Sequence, residues 1–131
     1  MKKLSVVFIA GLIGLAITFN LFAQEKRAMK EMKEVTLKGE IIDVKCYASG
    51  MMGGRGPDHE ECAISCIKGG LPVGILDEKS GKVFVLVPRK GMKSANEELL
   101  PHVAKVVVLK GSIIEKDGAN LFAYSSVEEG K

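Results

Sequence analysis

Two heptapeptides, "LKGEIID" (37–43) and "LKGSIIE" (109–115), each set a glycine inside an apolar run that otherwise reads as β-strand. Glycine weakens a strand interior unless the chain bends sharply there or another backbone comes close. Two such strands near opposite ends of one domain-sized segment predict a small sheet that curls strongly. A single echo of this length is not a repeat architecture, which needs several stacked units. The first strand runs on as "VTLKGEIIDVKC", with Val35, Leu37, Gly39 and Ile41 on one phase and Val44 and Cys46 on the other. A phase switch within one strand predicts a β-bulge at Ile41–Ile42, with Cys46 at the strand's far end.

Further along, "LPVGILDEKSGKVFVLVP" reads as a hairpin, Val73 to Leu76 and Val83 to Val87 around a turn at Lys79–Ser80–Gly81. In "SANEELL", Ser94 and Glu97 have capping-box spacing, so a short helix is expected there, ending near Pro101. "VVVLKGSIIEKDGANLFAYSSV" gives a strand, a turn at "KDGA" and a last strand. The expected fold is mainly β with one or two short helices, in the order β-α-β-β-α-β-β. This pattern, with its bent glycine-bearing first and fourth strands, resembles the OB-fold and the small OB-type domains of exported bacterial proteins. The resemblance covers about residues 35 to 128 and implies a five-stranded OB-like barrel with a helix between strands three and four. A helix between the first two strands is an addition to that pattern, and the cysteines lie on it.

The chain begins with "MKK" followed by an uncharged apolar stretch from Leu4 to Ala23. A basic start, an apolar core and a small residue at its end predict a signal peptide over 1–23. The same stretch is long enough for an N-terminal anchor, and Leu21 fits the small-x-small cleavage rule poorly. Both readings place the rest of the chain outside the cytoplasm, in the periplasm, the cell envelope or the medium. Residues 24–34, "QEKRAMKEMKE", read as a charged leader, and 35–131 as one OB-like domain. Membrane contact is then expected only through the first segment, if it is retained.

Once Lys2 and Lys3 are set aside with that segment, 17 of the 19 Lys and Arg remain against 16 acids, a nearly neutral domain. With no Trp and two Tyr besides, neither the basic face nor the stacking platform of a nucleic-acid binder is present. No Ser–His–Asp, P-loop or dinucleotide fingerprint occurs, and adjacent Glu60 and Glu61 point apart on a helix, so the chain reads as a binding module more than an enzyme.

The chemistry is concentrated in "KCYASGMMGGRGPDHEECAISCIKGG" (45–70), which holds all three cysteines and one of the two histidines. "PDHEECAISCIKGG" reads as a helix with Asp58 as cap, Glu61 completing the box, and Gly69–Gly70 as its stop. At 100° per residue, His59, Cys62 and Cys66 share an arc of about 60°, beside the apolar face of Ala63, Ile64 and Ile67. Cys46 would reach that stripe from the strand end. Cys46, His59, Cys62 and Cys66 together make a Cys₃His set, suited to zinc. Thiolates, with Met51 and Met52 as thioethers, also suit Cu(I). A metal ion is therefore the expected partner, with another envelope protein as a second candidate.

Two other readings stay open. A disulfide from Cys46 to Cys62 or Cys66 would staple an envelope interaction domain, leave one spare thiol and make His59 a solvated first-turn residue. A bond between Cys62 and Cys66 is disfavoured, because their Cβ vectors tilt the same way along the helix. Alternatively, a shielded thiol beside that disulfide would make a thiol–disulfide redox protein. The glycine-rich loop at 48–57 reads first as a flexible loop whose glycines meet turn geometry, with a flap over the site or an anion nest at Arg55 as lesser alternatives. His102 reads as structural.

Overall fold

The computed structural model describes residues 32–130. The signal peptide or anchor expected over 1–23 lies outside the described residues, as does most of the leader at 24–34. Among the described residues no helix is long and apolar enough to cross a membrane.

The domain is mainly β. Five strands, β1 (Val35–Asp43), β2 (Val73–Asp77), β3 (Val83–Pro88), β4 (Val106–Lys116) and β5 (Ala119–Glu129), form one mixed sheet. Three short helices, α1 (Val44–Ser49), α2 (Glu60–Lys68) and α3 (Asn96–Leu99), connect them, one more than the sequence predicts. β1 runs antiparallel to both β2 and β4, β2 to β3, and β4 to β5, while β3 and β5 are parallel. The hydrogen-bonded order β1-β2-β3-β5-β4 therefore returns to β1.

Inward-facing residues of every strand make the core: Leu37 and Ile41, Ile75, Phe84 and Leu86, Val107 and Leu109, Phe122 and Tyr124. Ala63 and Ile67 of α2 and Leu99 of α3 close it from the side. Each large apolar side chain fully buried here contributes about 1.5–3 kcal/mol.

The glycines of the twin heptapeptides stand where two backbones almost touch. A Cβ on Gly39 would run into the Leu76 carbonyl oxygen, and one on Gly111 into the Ala123 carbonyl oxygen. The register shift is at Lys110/Gly111 in β4, whereas β1 pairs with β2 and β4 without interruption. The bulge expected in β1 is therefore absent. Ile41 points into the core and Ile42, on the other face, is equally buried, after which the chain turns into α1 at Val44. What reads as a change of strand phase is a strand covered on both faces and then a helix.

Both hairpins follow their turn chemistry. Asp77 accepts a hydrogen bond from the Ser80 amide at 2.9 Å to shape the β2–β3 turn. Asp117 and Gly118 take φ of 51° and 85° between β4 and β5, the left-handed pair that a two-residue hairpin demands. The expected capping boxes do not form. Ala95, not Ser94, precedes α3, and Ser94 Oγ accepts from the Asn96 amide at 3.2 Å. Pro57–His59 form a 3₁₀ turn that leads into α2 without a side-chain cap from Asp58.

Candidate metal centre

The centre is built where β1 gives way to α1. Asp43, the last residue of β1, is extended (φ −79°, ψ 117°), and its Oδ1 accepts from the Lys45 amide at 2.8 Å. That cap starts α1, and within one turn Cys46 points inward with 0% exposure. Cys46 thus sits on a helix and not at a strand end, as the alternation pattern had suggested. Gly50 ends α1 in the left-handed region, its amide donating to the Cys46 and Tyr47 carbonyls. The glycine-rich loop then crosses back to β1, where the Gly56 amide donates to Glu40 Oε1.

The 3₁₀ turn that follows delivers His59 to the start of α2 at 1% exposure, not solvated as a purely stapling role for the cysteines would have it. α2 buries Ala63 and Ile67 in the core, which turns Cys62 and Cys66 along its neighbouring flank, half-buried. Its C-terminus is held from α3, since Asn96 Nδ2 donates to both the Ile67 and Leu71 carbonyls at 2.9 Å. The Val44 amide donates to the Pro72 carbonyl at 3.2 Å and ties the start of α1 to the exit of α2.

Three cysteines and a histidine are thereby brought close together. The ligand atoms of Cys46, His59 and Cys62 all lie within 4.8 Å of one another. So do those of Asp43, Cys46 and Cys66. All four residues nominated by the sequence gather around Cys46, but as two triads that share it. Helical rise explains the split. His59 and Cys66 occupy one face of the helical path yet lie about 10 Å apart along its axis at 1.5 Å per residue. Asp43 is the member that the sequence reading missed. Its signal was the Asp-x-x-Cys spacing at a strand end, legible only once a helix is known to begin at Val44.

No disulfide is formed, and the three cysteines are free. The Cys46 and Cys66 sulfurs are 3.8 Å apart. A disulfide requires about 2.05 Å. Two thiolates at the 2.3 Å zinc–sulfur distance of a tetrahedral site stand about 3.8 Å apart.

The surroundings are polar and unsatisfied. Both ring nitrogens of His59 and Asp43 Oδ2 are buried without a hydrogen-bond partner. Each orphaned group of this kind costs about 1–3 kcal/mol. Burial works against the Asp43 carboxylate, yet the neighbouring Cys46 and Cys66 thiols and the Lys45 and Cys46 amides hold its pKa below the ordinary value. Burial first, then Asp43 and Cys66, pushes the Cys46 thiol up to about 12. Cys66 is raised as well, by Asp43 and then by burial. Cys46 and Cys66 therefore hold their protons more tightly than ordinary thiols, and a metal ion bound by them would have to displace those protons.

Met51 and Met52 are 45% and 72% exposed, turned to solvent. Exposed Arg55 lines a cavity together with Glu40, Asp77 and Glu78, acids that disfavour an anion. His102 belongs to the 3₁₀ turn before β4 and to neither triad. No family model, curated protein or solved structure matches this chain. What stands is a Cys/His cluster compatible with a metal ion, in a mainly β domain.

Proposed function

We propose that the chain is an exported metal-binding module of OB-like architecture. Zinc or Cu(I) is held there by ligands drawn from Cys46, His59, Cys62 and Cys66, with Cys46 at the centre of the cluster. One observation carries the reading: a histidine 1% exposed, with both ring nitrogens unpartnered, lies within 4.8 Å of two thiols. Buried imidazoles ordinarily find hydrogen bonds, and one left without any is suited to a Lewis acid. The OB-like assignment draws support from the strand order β1-β2-β3-β5-β4 with its parallel β3–β5 pair. Export draws support from the uncharged apolar run Leu4 to Ala23.

The 3.8 Å approach of Cys46 and Cys66 favours one rival, an envelope domain stapled by that disulfide with Cys62 as its spare thiol. That spare thiol would also serve a thiol–disulfide redox role. Native mass spectrometry of protein purified from the cell envelope without reductant separates the readings. A mass excess of one or more metal ions, lost on acid denaturation with all three thiols then alkylatable, supports the metal centre. A metal-free chain two hydrogens light, with one alkylatable thiol, overturns it.

A further inference from the structure

Resting on that metal reading, we propose that the centre has two ion positions bridged by the Cys46 thiolate. One is formed by Cys46, His59 and Cys62, the other by Asp43, Cys46 and Cys66, and both take a divalent cation of borderline softness such as zinc. The two triads have only Cys46 in common, and their members do not form one mutually close set. The helix imposes this division, since about 10 Å of axial rise separates His59 from Cys66. A thiolate sulfur has lone pairs enough to ligate two ions at once. Cys66 then ligates the second ion and does not complete the first.

Asp43 is the independent pointer to the second position. It is 0% exposed, its Oδ1 accepts from the Lys45 amide, its Oδ2 is buried without a hydrogen bond of normal geometry, and a carboxylate oxygen lies within 4.8 Å of the Cys46 and Cys66 sulfurs. A buried carboxylate persists only when paired, hydrogen-bonded or coordinated to a metal. Charge selects the ion. With the three thiols deprotonated, Asp43, Cys46, Cys62 and Cys66 bring four negative charges into a largely buried space, and two divalent cations neutralise them. A single zinc leaves two uncompensated, and so do two Cu(I) ions. The carboxylate oxygen is also a harder donor than Cu(I) prefers, whereas zinc accepts oxygen, nitrogen and sulfur alike.

The test is the ion count per chain by native mass spectrometry, after loading with excess zinc sulfate and removing unbound metal. Wild type is expected to carry two zinc ions. Asp43→Asn keeps an oxygen for the Lys45 amide but removes the carboxylate, and is expected to carry one. Cys66→Ser and His59→Ala are each expected to carry one, and Cys46→Ser to lose both high-affinity ions. Should Asp43→Asn fail to fold, shown by loss of its β circular dichroism, Cys66→Ser carries the same reading. One ion in wild type, unchanged in Asp43→Asn or Cys66→Ser, overturns the second position and leaves a single-ion centre standing. No ion in wild type overturns the metal reading itself.

Discussion

Cys46 on α1 and Cys66 on α2 face each other with their sulfurs 3.8 Å apart and no bond between them. That separation matches the edge that a zinc–thiolate tetrahedron would have, and closing it to a disulfide takes an approach of about 1.8 Å. Because Cys46 belongs to both triads, a bond to Cys66 dismantles both. Metal and disulfide are therefore mutually exclusive states of the same atoms.

Metal should accordingly protect the thiols. In metal-free protein, a small-molecule disulfide is expected to be attacked first by Cys66, the more exposed of the pair. Cys46 then displaces the second small thiol, and the chain ends two hydrogens lighter with Cys62 still alkylatable. Zinc-loaded protein is expected to resist the same reagent. Equal oxidation rates with and without metal, followed by peptide mapping, would count against the shared-ligand geometry.

Replacing His59 should have opposite effects in the two states. Without metal, His59→Leu removes two buried unpartnered nitrogens. Stability measured in chelator is expected to hold or rise by about 1 kcal/mol. With zinc present, the variant loses the extra stabilisation that wild type gains from binding. Thermal melts with and without chelator read both arms. A chelated His59→Leu that melts well below wild type would assign the ring a packing role instead.

Tyr124, which belongs to neither triad, is buried and its hydroxyl donates to Glu98 Oε2 at 2.7 Å. Burial, and then the Glu98 charge, raises its pKa above the ordinary value near 10. The folded state keeps the proton longer than the unfolded chain does. That contribution is complete below about pH 10 and is lost as pH climbs toward the raised value. Denaturant melts across alkaline pH should show a fall in stability that Tyr124→Phe makes shallower, at a cost of about 1 kcal/mol near neutrality. Identical slopes for the two proteins would contradict it.

Gly111→Ala should be among the most damaging single changes, because the new Cβ meets the Ala123 carbonyl and the Tyr124 Cα, backbone atoms that cannot swing aside. A loss of about 3 kcal/mol or more is expected. Gly118→Ala is the control: its Cβ would point into open space, so only the positive φ is strained, at about 1 kcal/mol. Comparable melts for the two variants would mean that β4 has room to shift.

Alternation and turn chemistry were enough to place β2 and β3 and the Asp117–Gly118 hairpin, because each rests on neighbours in sequence. The helical stripe was legible for the same reason, and His59 and Cys62 do meet Cys46. Two things were not. The α1 helix hides behind an apparent strand, since Ile41, Ile42 and Asp43 are all buried and alternation carries no information where both faces are covered. Asp43 was invisible as a site residue because an acid at a strand end is ordinary until the fold seals it from water. Angular position alone also merged Cys66 with His59, whereas distance along the axis separates them.

The ring of pairings described above also governs how this protein avoids sticking to itself. An unpaired strand margin is a template for another chain, in fibres or in strand-addition complexes. Here β1 has β2 on one side and β4 on the other, and the parallel β3–β5 pairing joins the two ends of the sheet. Among the described strands, pairing with β1 runs out along β4 at Gly111, and Ile113 beyond it is 39% exposed. That stretch soon reaches Glu115 and Lys116, charges that discourage a neighbour from docking there, before the tight turn. Recognition by another protein would thus fall to side chains and loops, with the backbone largely withheld.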